Sequence, residues 1–136
     1  MVTVNLDEQK IPPDKPSYAT QNMAENIDPK YIIKIKDNNF IRFEGLLVLG
    51  HNEGLKRINT QVIQFPCKEN YDCCVVSAEI ETKYGVFSAI GDSTPRNVNP
   101  SVKGHMIRIA ETRAIARALR FALRIGMVCT DEIEDI

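Results

Sequence analysis

Residues 99–127 read N-P-S-V-K-G-H-M-I-R-I-A-E-T-R-A-I-A-R-A-L-R-F-A-L-R-I-G-M. Asn99 is a good helix N-cap, and Pro100 suits the first helical position, where its missing N–H costs nothing. Gly126 supplies a stop, because glycine takes the left-handed C-cap conformation without a Cβ penalty. Between them lie mostly strong helix formers, so one long helix is expected across this stretch. At about 100° per residue, Arg113, Arg117, Arg120 and Arg124 share a single narrow stripe. Ala114, Ile115, Ala118, Leu119, Phe121, Ala122 and Ile125 cover the other side. The expectation is a helix with an apolar back and an arginine front.

Four guanidinium groups on one stripe repel one another, and only Glu111 in this helix opposes them. A structural helix normally interleaves acids at i+4 to gain ion pairs. An uncompensated stripe therefore points to an anion from outside, and the planar fork of arginine matches phosphate. The competing reading is that Asp or Glu residues elsewhere in the fold pair with the stripe. The chain has enough acids for that, and the stripe alone leaves the two close to even.

Working outward, 136 residues suit one domain with a real core. No apolar run approaches a membrane span and the polar N-terminus does not read as a signal peptide, so no membrane contact and a cytoplasmic location are expected. Cys67, Cys73, Cys74 and Cys129 lack metal-ligand spacing, and Cys73 and Cys74 should point to opposite faces of a strand. All four read as small buried hydrophobes, with no metal and no disulfide expected. Net charge is −1, which argues against a generically basic nucleic-acid binder. The charge is unevenly placed, however: basic residues crowd 101–124 and acids crowd 131–135. Such asymmetry permits a local basic groove on a near-neutral protein.

Upstream of the helix, residues 55–65, 73–82 and 86–91 alternate apolar and polar, separated by turns at Lys68-Glu69-Asn70 and Lys83-Tyr84-Gly85. This predicts an antiparallel meander with one face free to pack on the helix, hence an α+β fold with a β-β-β-α core. Residues 44–52 read as a short buried helix ended by Gly54. Residues 31–36 and 40–43 read as a hairpin about Asp37-Asn38-Asn39, bearing Lys34, Lys36 and Arg42. For any one of those bases, the simpler role is keeping an edge strand soluble. Residues 1–29 read as a flexible tail, 30–129 as the core domain and 130–136 as an acidic tail. That acidic tail is either solvated or lies in the basic groove as a nucleic-acid mimic.

No positive sign of an enzyme or a cofactor is present. Gly91-Asp92-Ser93-Thr94 lacks the lysine and the glycine spacing of a phosphate loop. Asp92 and Glu111 read as a cap and a salt-bridge partner, and His51 and His105 have no metal-spaced partners.

Three short strings, in this order, carry a resemblance: Phe43-Glu44-Gly45 at the start of the short helix, Lys83-Tyr84-Gly85 at the second turn of the meander, and Arg117-Ala118-Leu119-Arg120 on the long helix. From about Tyr31 to Cys129 the chain resembles the single-strand annealing proteins of the eukaryotic Rad recombination-mediator type and their phage and bacterial relatives. The resemblance implies a core that assembles side by side into a homo-oligomeric ring. Single-stranded DNA would lie round it in a basic groove, its backbone held by arginines of the long helix. Where that family has two basic residues before A-L-R, the first is Ala116 here, with Arg113 and Arg124 standing a turn to either side. The family's outer site would fall on Lys83 and Lys103, and its hairpin contact on Lys34, Lys36 or Arg42. The activity so implied is ATP-independent annealing of complementary strands in recombination and repair, nucleoid-associated in a bacterium or phage. A recombinase or a single-strand binding protein would be a compatible further partner. Two rival expectations are an RNA-binding module using the same groove and a structural homo-oligomer whose arginines pair with acids across subunits.

Overall fold

The computed structural model describes residues 27–133. Its elements are β1 (Ile32–Ile35), β2 (Asn38–Ile41), α1 (Phe43–Asn52), β3 (Arg57–Gln64), β4 (Cys74–Thr82), β5 (Gly85–Ser93) and α2 (Met106–Leu123). β3, β4 and β5 form an antiparallel sheet in that order, α2 packs on it, and β1 and β2 make a separate hairpin. The expected α+β meander-then-helix architecture is what the chain adopts. No helix among the described residues is long and apolar enough to cross a membrane.

The sheet is organised by parity. Along β4, Cys74, Val76, Ala78, Ile80 and Thr82 are buried, whereas the residues between them are only half-buried. On β5, Ala89, Gly91 and Ser93 face the same way. α2 meets this surface with Ala110, Ala114 and Ala118, all fully buried. The approach is backbone to backbone at Gly91, where a Cβ would stand 2.3 Å from the Ala114 nitrogen and 2.4 Å from the Ala110 oxygen. The alanine row and that one glycine let the helix lie on the strand. The buried Ser93 hydroxyl ties the start of α2 down by donating to the Met106 carbonyl at 2.7 Å.

α1 packs on the opposite flank of α2 through Leu46 and Leu49, and Gly50 lies against Leu119. Gly45 is needed because a Cβ there would stand 2.6 Å from that of Tyr31.

Most boundaries shift by a residue or two from those the sequence suggests, and three of the differences matter for the site. The hairpin turns at Lys36 and Asp37 (φ 48° and 67°), with Ile35 paired to Asn38. Two successive left-handed residues match strand twist better than a looser three-residue turn, and Asn38 and Asn39 thereby join the strand. Next, Asn99 caps a 3₁₀ segment over Pro100–His105, so α2 proper begins at Met106. Finally, α2 ends at Leu123 with Arg124, not a glycine, in the left-handed C-cap conformation (φ 59°). The reversal there carries Ile125 into the core at 4% exposure.

The packed structure also runs beyond 30–129. Ile27 is buried, and the stretch after α2 returns across the hairpin, where Cys129 bridges Ile41 and Val128 O accepts from Ile41 N at 3.0 Å. A 3₁₀ turn at Thr130–Glu132 comes next, closed by Glu132, whose carboxylate accepts from Cys129 N at 2.7 Å. The first part of the acidic run is therefore built into the fold. Residues 1–26, most of the expected flexible tail, lie outside the described residues.

Candidate nucleic-acid interface

The stripe that the helical wheel draws is split along its length. Arg113 and Arg120 are seven residues apart and turn inward; Arg117 and Arg124 are also seven apart and are exposed. At 100° per residue each pair spans about 20° and the two pairs are offset by about 40°, so the solvent boundary runs through the stripe.

Arg113 is only 6% exposed. Its Nε donates to Asp131 O at 3.0 Å, Nη1 to Asp92 O at 2.9 Å and to Asn97 Oδ1 at 2.8 Å, and Nη2 to Asn97 O at 2.5 Å. It clamps the end of β5, the following turn and the C-terminal segment onto α2. Arg120 pairs with Glu132 (Nη1 to Oε1, 2.7 Å), with side-chain exposures of 17% and 10%, and also donates to the carbonyls of Ile125 and Gly126. The expected outward, unpartnered arginine front is thus corrected at both positions. A buried guanidinium must have its donors satisfied, and loop carbonyls with one carboxylate do so here. The competing expectation, pairing with an acid from elsewhere in the fold, holds for Arg120 through Glu132, whereas the hydrogen bonds of Arg113 go to carbonyls and to Asn97.

Arg117 remains accessible. Its Nη1 donates to Ile90 O at 2.7 Å, and the guanidinium stands 5.6 Å from the half-exposed Phe121 ring. Among the described residues no carboxylate lies within ion-pair distance of it. Ile90 and Asp92 are alternate residues of the edge strand β5, so Arg117 and Arg113 together occupy two carbonyls of that edge. Such occupation blunts an edge against unwanted strand addition. Arg124 is exposed at the end of the helix.

The other sequence-derived candidates fall in different places. α2 runs antiparallel to β5: Met106 lies at Ser93, Ala110 and Ala114 at Gly91, and Arg117 at Ile90. The β4–β5 turn therefore sits toward the C-terminal end of α2, which puts Lys83 toward Arg124, whereas Arg117 meets β5 at Ile90, nearer its Ser93 end. Lys83 is 3.3 Å from Glu53 and 5.0 Å from the Tyr84 ring centre, while Tyr84 donates to the same carboxylate at 2.6 Å. Arg42 is exposed just after Ile41, hence beside the segment that follows α2. Lys34 is exposed and 3.9 Å from Asp37, and Lys36 is exposed in the hairpin turn. Lys103 lies at the opposite end of α2, exposed on the 3₁₀ segment near His105 and Arg108, whose side chains touch each other. The candidates thus do not form one row.

Two further cations carry no binding signal in the sequence because they stand in the connections between elements, where no periodicity marks them. Lys68 and Arg96 both line a cleft between the β3–β4 and β5–α2 connections, at Lys103's end of the molecule.

Burial pushes the Cys129 thiol up to about 12, and burial with the neighbouring Cys73 raises Cys74. Cys67, which is exposed, and Cys73, which is half-buried, depart from the buried reading; Cys74 and Cys129 follow it. Asp92 accepts from Asn97, and Glu111 accepts from Thr60 at 2.7 Å across the α2–β3 contact. Both carboxylates are occupied in structural bonds.

The chain matches no family model, no curated protein and no solved structure.

Proposed function

We propose that the protein binds an unpaired nucleic-acid strand, DNA in the first instance, by its phosphate backbone and anneals it to a complementary strand without a nucleotide cofactor. The observation that carries this reading is Arg117, exposed on α2 with most of its five donors uncommitted and no carboxylate in reach among the described residues. Arg124 stands two turns, about 10 Å, further along the same flank. Lys83 and Arg42 are at the same end. Such a surface holds phosphates without reading bases, leaving the bases available for a second strand. The resemblance to single-strand annealing proteins in the order of the short motifs supports the same reading.

Assembly with further copies belongs to this proposal. β3 and β5 each lack a neighbour on one side in the described sheet, and a heterologous contact that closes would cover both edges. Because two β5 carbonyls are already taken by arginine, joining by strand pairing is left to β3 and to the Gly85-proximal part of β5. A single large species in light scattering is expected, and a monodisperse monomer contradicts the assembly. A nucleoid-associated protein inside the cell fits this activity.

The inward arginines favour a second reading, a structural oligomer with no nucleic-acid ligand. Annealing of complementary oligonucleotides without nucleotide separates the two. The wild type should accelerate annealing, and Arg117→Ala should reduce it. Absence of both binding and annealing at moderate salt leaves the structural reading. Competition between matched DNA and RNA strands tests which backbone is preferred.

A further inference from the structure

A cleft of about 730 Å³ opens between the β3–β4 loop and the β5–α2 loop, at the Ser93 end of β5. Its walls include Lys68, Asn70, Tyr71, Asp72, Pro95 and Arg96. Tyr71 is 86% exposed, the most exposed large hydrophobic residue described. It is not displayed by slackness. Tyr71 and Asp72 both hold left-handed backbone (φ 59° and 57°), a conformation that a bulky residue rarely takes. Asn70 pins the loop: its side chain accepts from Cys67 N and Cys73 N and donates to Phe65 O. The opposite wall is equally fixed, with Asn97 Oδ1 accepting from Thr94 N at 2.7 Å and the Thr94 hydroxyl accepting from Arg96 N.

Two braced loops thus place a solvent-facing aromatic ring and two cations on the walls of one cleft. Among the described residues neither the Lys68 nor the Arg96 side chain makes a hydrogen bond or ion pair. Asp72 is the one acid in the wall, so the cleft carries a net positive charge. Cations and an exposed aromatic ring in one cleft supply the two components of single-strand binding, backbone neutralisation and base stacking. The volume is that of a small-molecule site. We propose that this cleft takes one unpaired nucleotide, its base stacked on Tyr71 and its phosphate between Lys68 and Arg96. The proposal rests on the nucleic-acid reading above and adds to it a contact with the base.

Two measurements test it. Adenosine 5′-monophosphate titrated into the labelled full-length protein should shift the amide resonances of residues 68–73 and 94–96, whereas inorganic phosphate should barely move them. Binding should then be compared for a thymidine homopolymer and for an abasic strand of equal length. Tyr71→Gly should weaken the homopolymer roughly tenfold and leave the abasic strand unchanged, with Tyr71→Phe close to wild type. Tyr71→Gly also relieves the left-handed backbone, so its Tm should not fall and lost binding cannot be ascribed to unfolding. Equal shifts with nucleotide and phosphate, or equal loss on both strands, overturn the stacking role. Nucleotide shifts in a protein that binds no strand at all leave the cleft standing and sink the wider reading.

Discussion

Arg113 and Arg117 sit four residues apart on one helix and do opposite things. The first is a bolt: four acceptors from three separate stretches of chain converge on it, and it is nearly inaccessible. The second spends one N–H on a strand edge and presents the remainder to solvent. The same contrast repeats one heptad on, between Arg120 with its Glu132 partner and exposed Arg124. A helical wheel shows which residues share a face, but not what lies over it. Here the turn after β5 and the segment after α2 cover one flank and leave the other open.

The widest break in this contrast comes from removing the contact that sets both flanks. Gly91→Ala drives a methyl into the backbone of α2 and should cost at least about 3 kcal/mol, a large part of a domain's usual stability. Urea unfolding measures it, and a neutral result would mean that helix and strand do not meet as described. Arg113→Ala should cost about 3 kcal/mol by orphaning buried carbonyls and Asn97, against under about 1 kcal/mol for Arg117→Ala. Equal losses for the two would erase the distinction between flanks. Glu132→Gln should cost about 1–2 kcal/mol, and far less in an Arg120→Ala background, because the two share one interaction.

A pH effect acts through the buried Cys129 thiol. The Cys129 thiol is held up to about 12 against an ordinary 9.0. Folding then favours the protonated thiol, so its contribution is whole below pH 9 and drains as pH rises toward 12. The loss is at most about 1.4 kcal/mol per pH unit in that window. Cys129→Ala should flatten the alkaline limb of a stability–pH curve; an identical limb would assign that loss to other groups.

Much of the architecture was legible because it follows from periodicity. Alternation along residues 73–82 gave the faces of β4, and the run of alanines with arginines gave α2. The features that escaped were set by groups without a period. Asn97 and the main-chain carbonyls of Asp92, Asp131, Ile125 and Gly126 are invisible to pattern reading, yet they decide which arginines turn inward. The sequence leaves the acidic tail either solvated or lying in the basic groove; the Glu132 carboxylate serves Cys129 N and pairs with Arg120, built into the fold at one end of the stripe. Arg124 took the left-handed cap that glycine would normally fill, two residues before Gly126, so the expected helix end fell late. Tyr71 gave no signal at all, since its exposure depends on a loop braced by Asn70.

The division of labour along α2 is tested most directly by the salt dependence of oligonucleotide affinity in Arg117→Ala/Arg124→Ala. Each lost phosphate contact lowers the log–log slope by about 0.7, so the pair should lower it by about 1.4 while Tm stays within a few degrees of wild type. A slope equal to that of the wild type would show that the outer flank does not carry the strand.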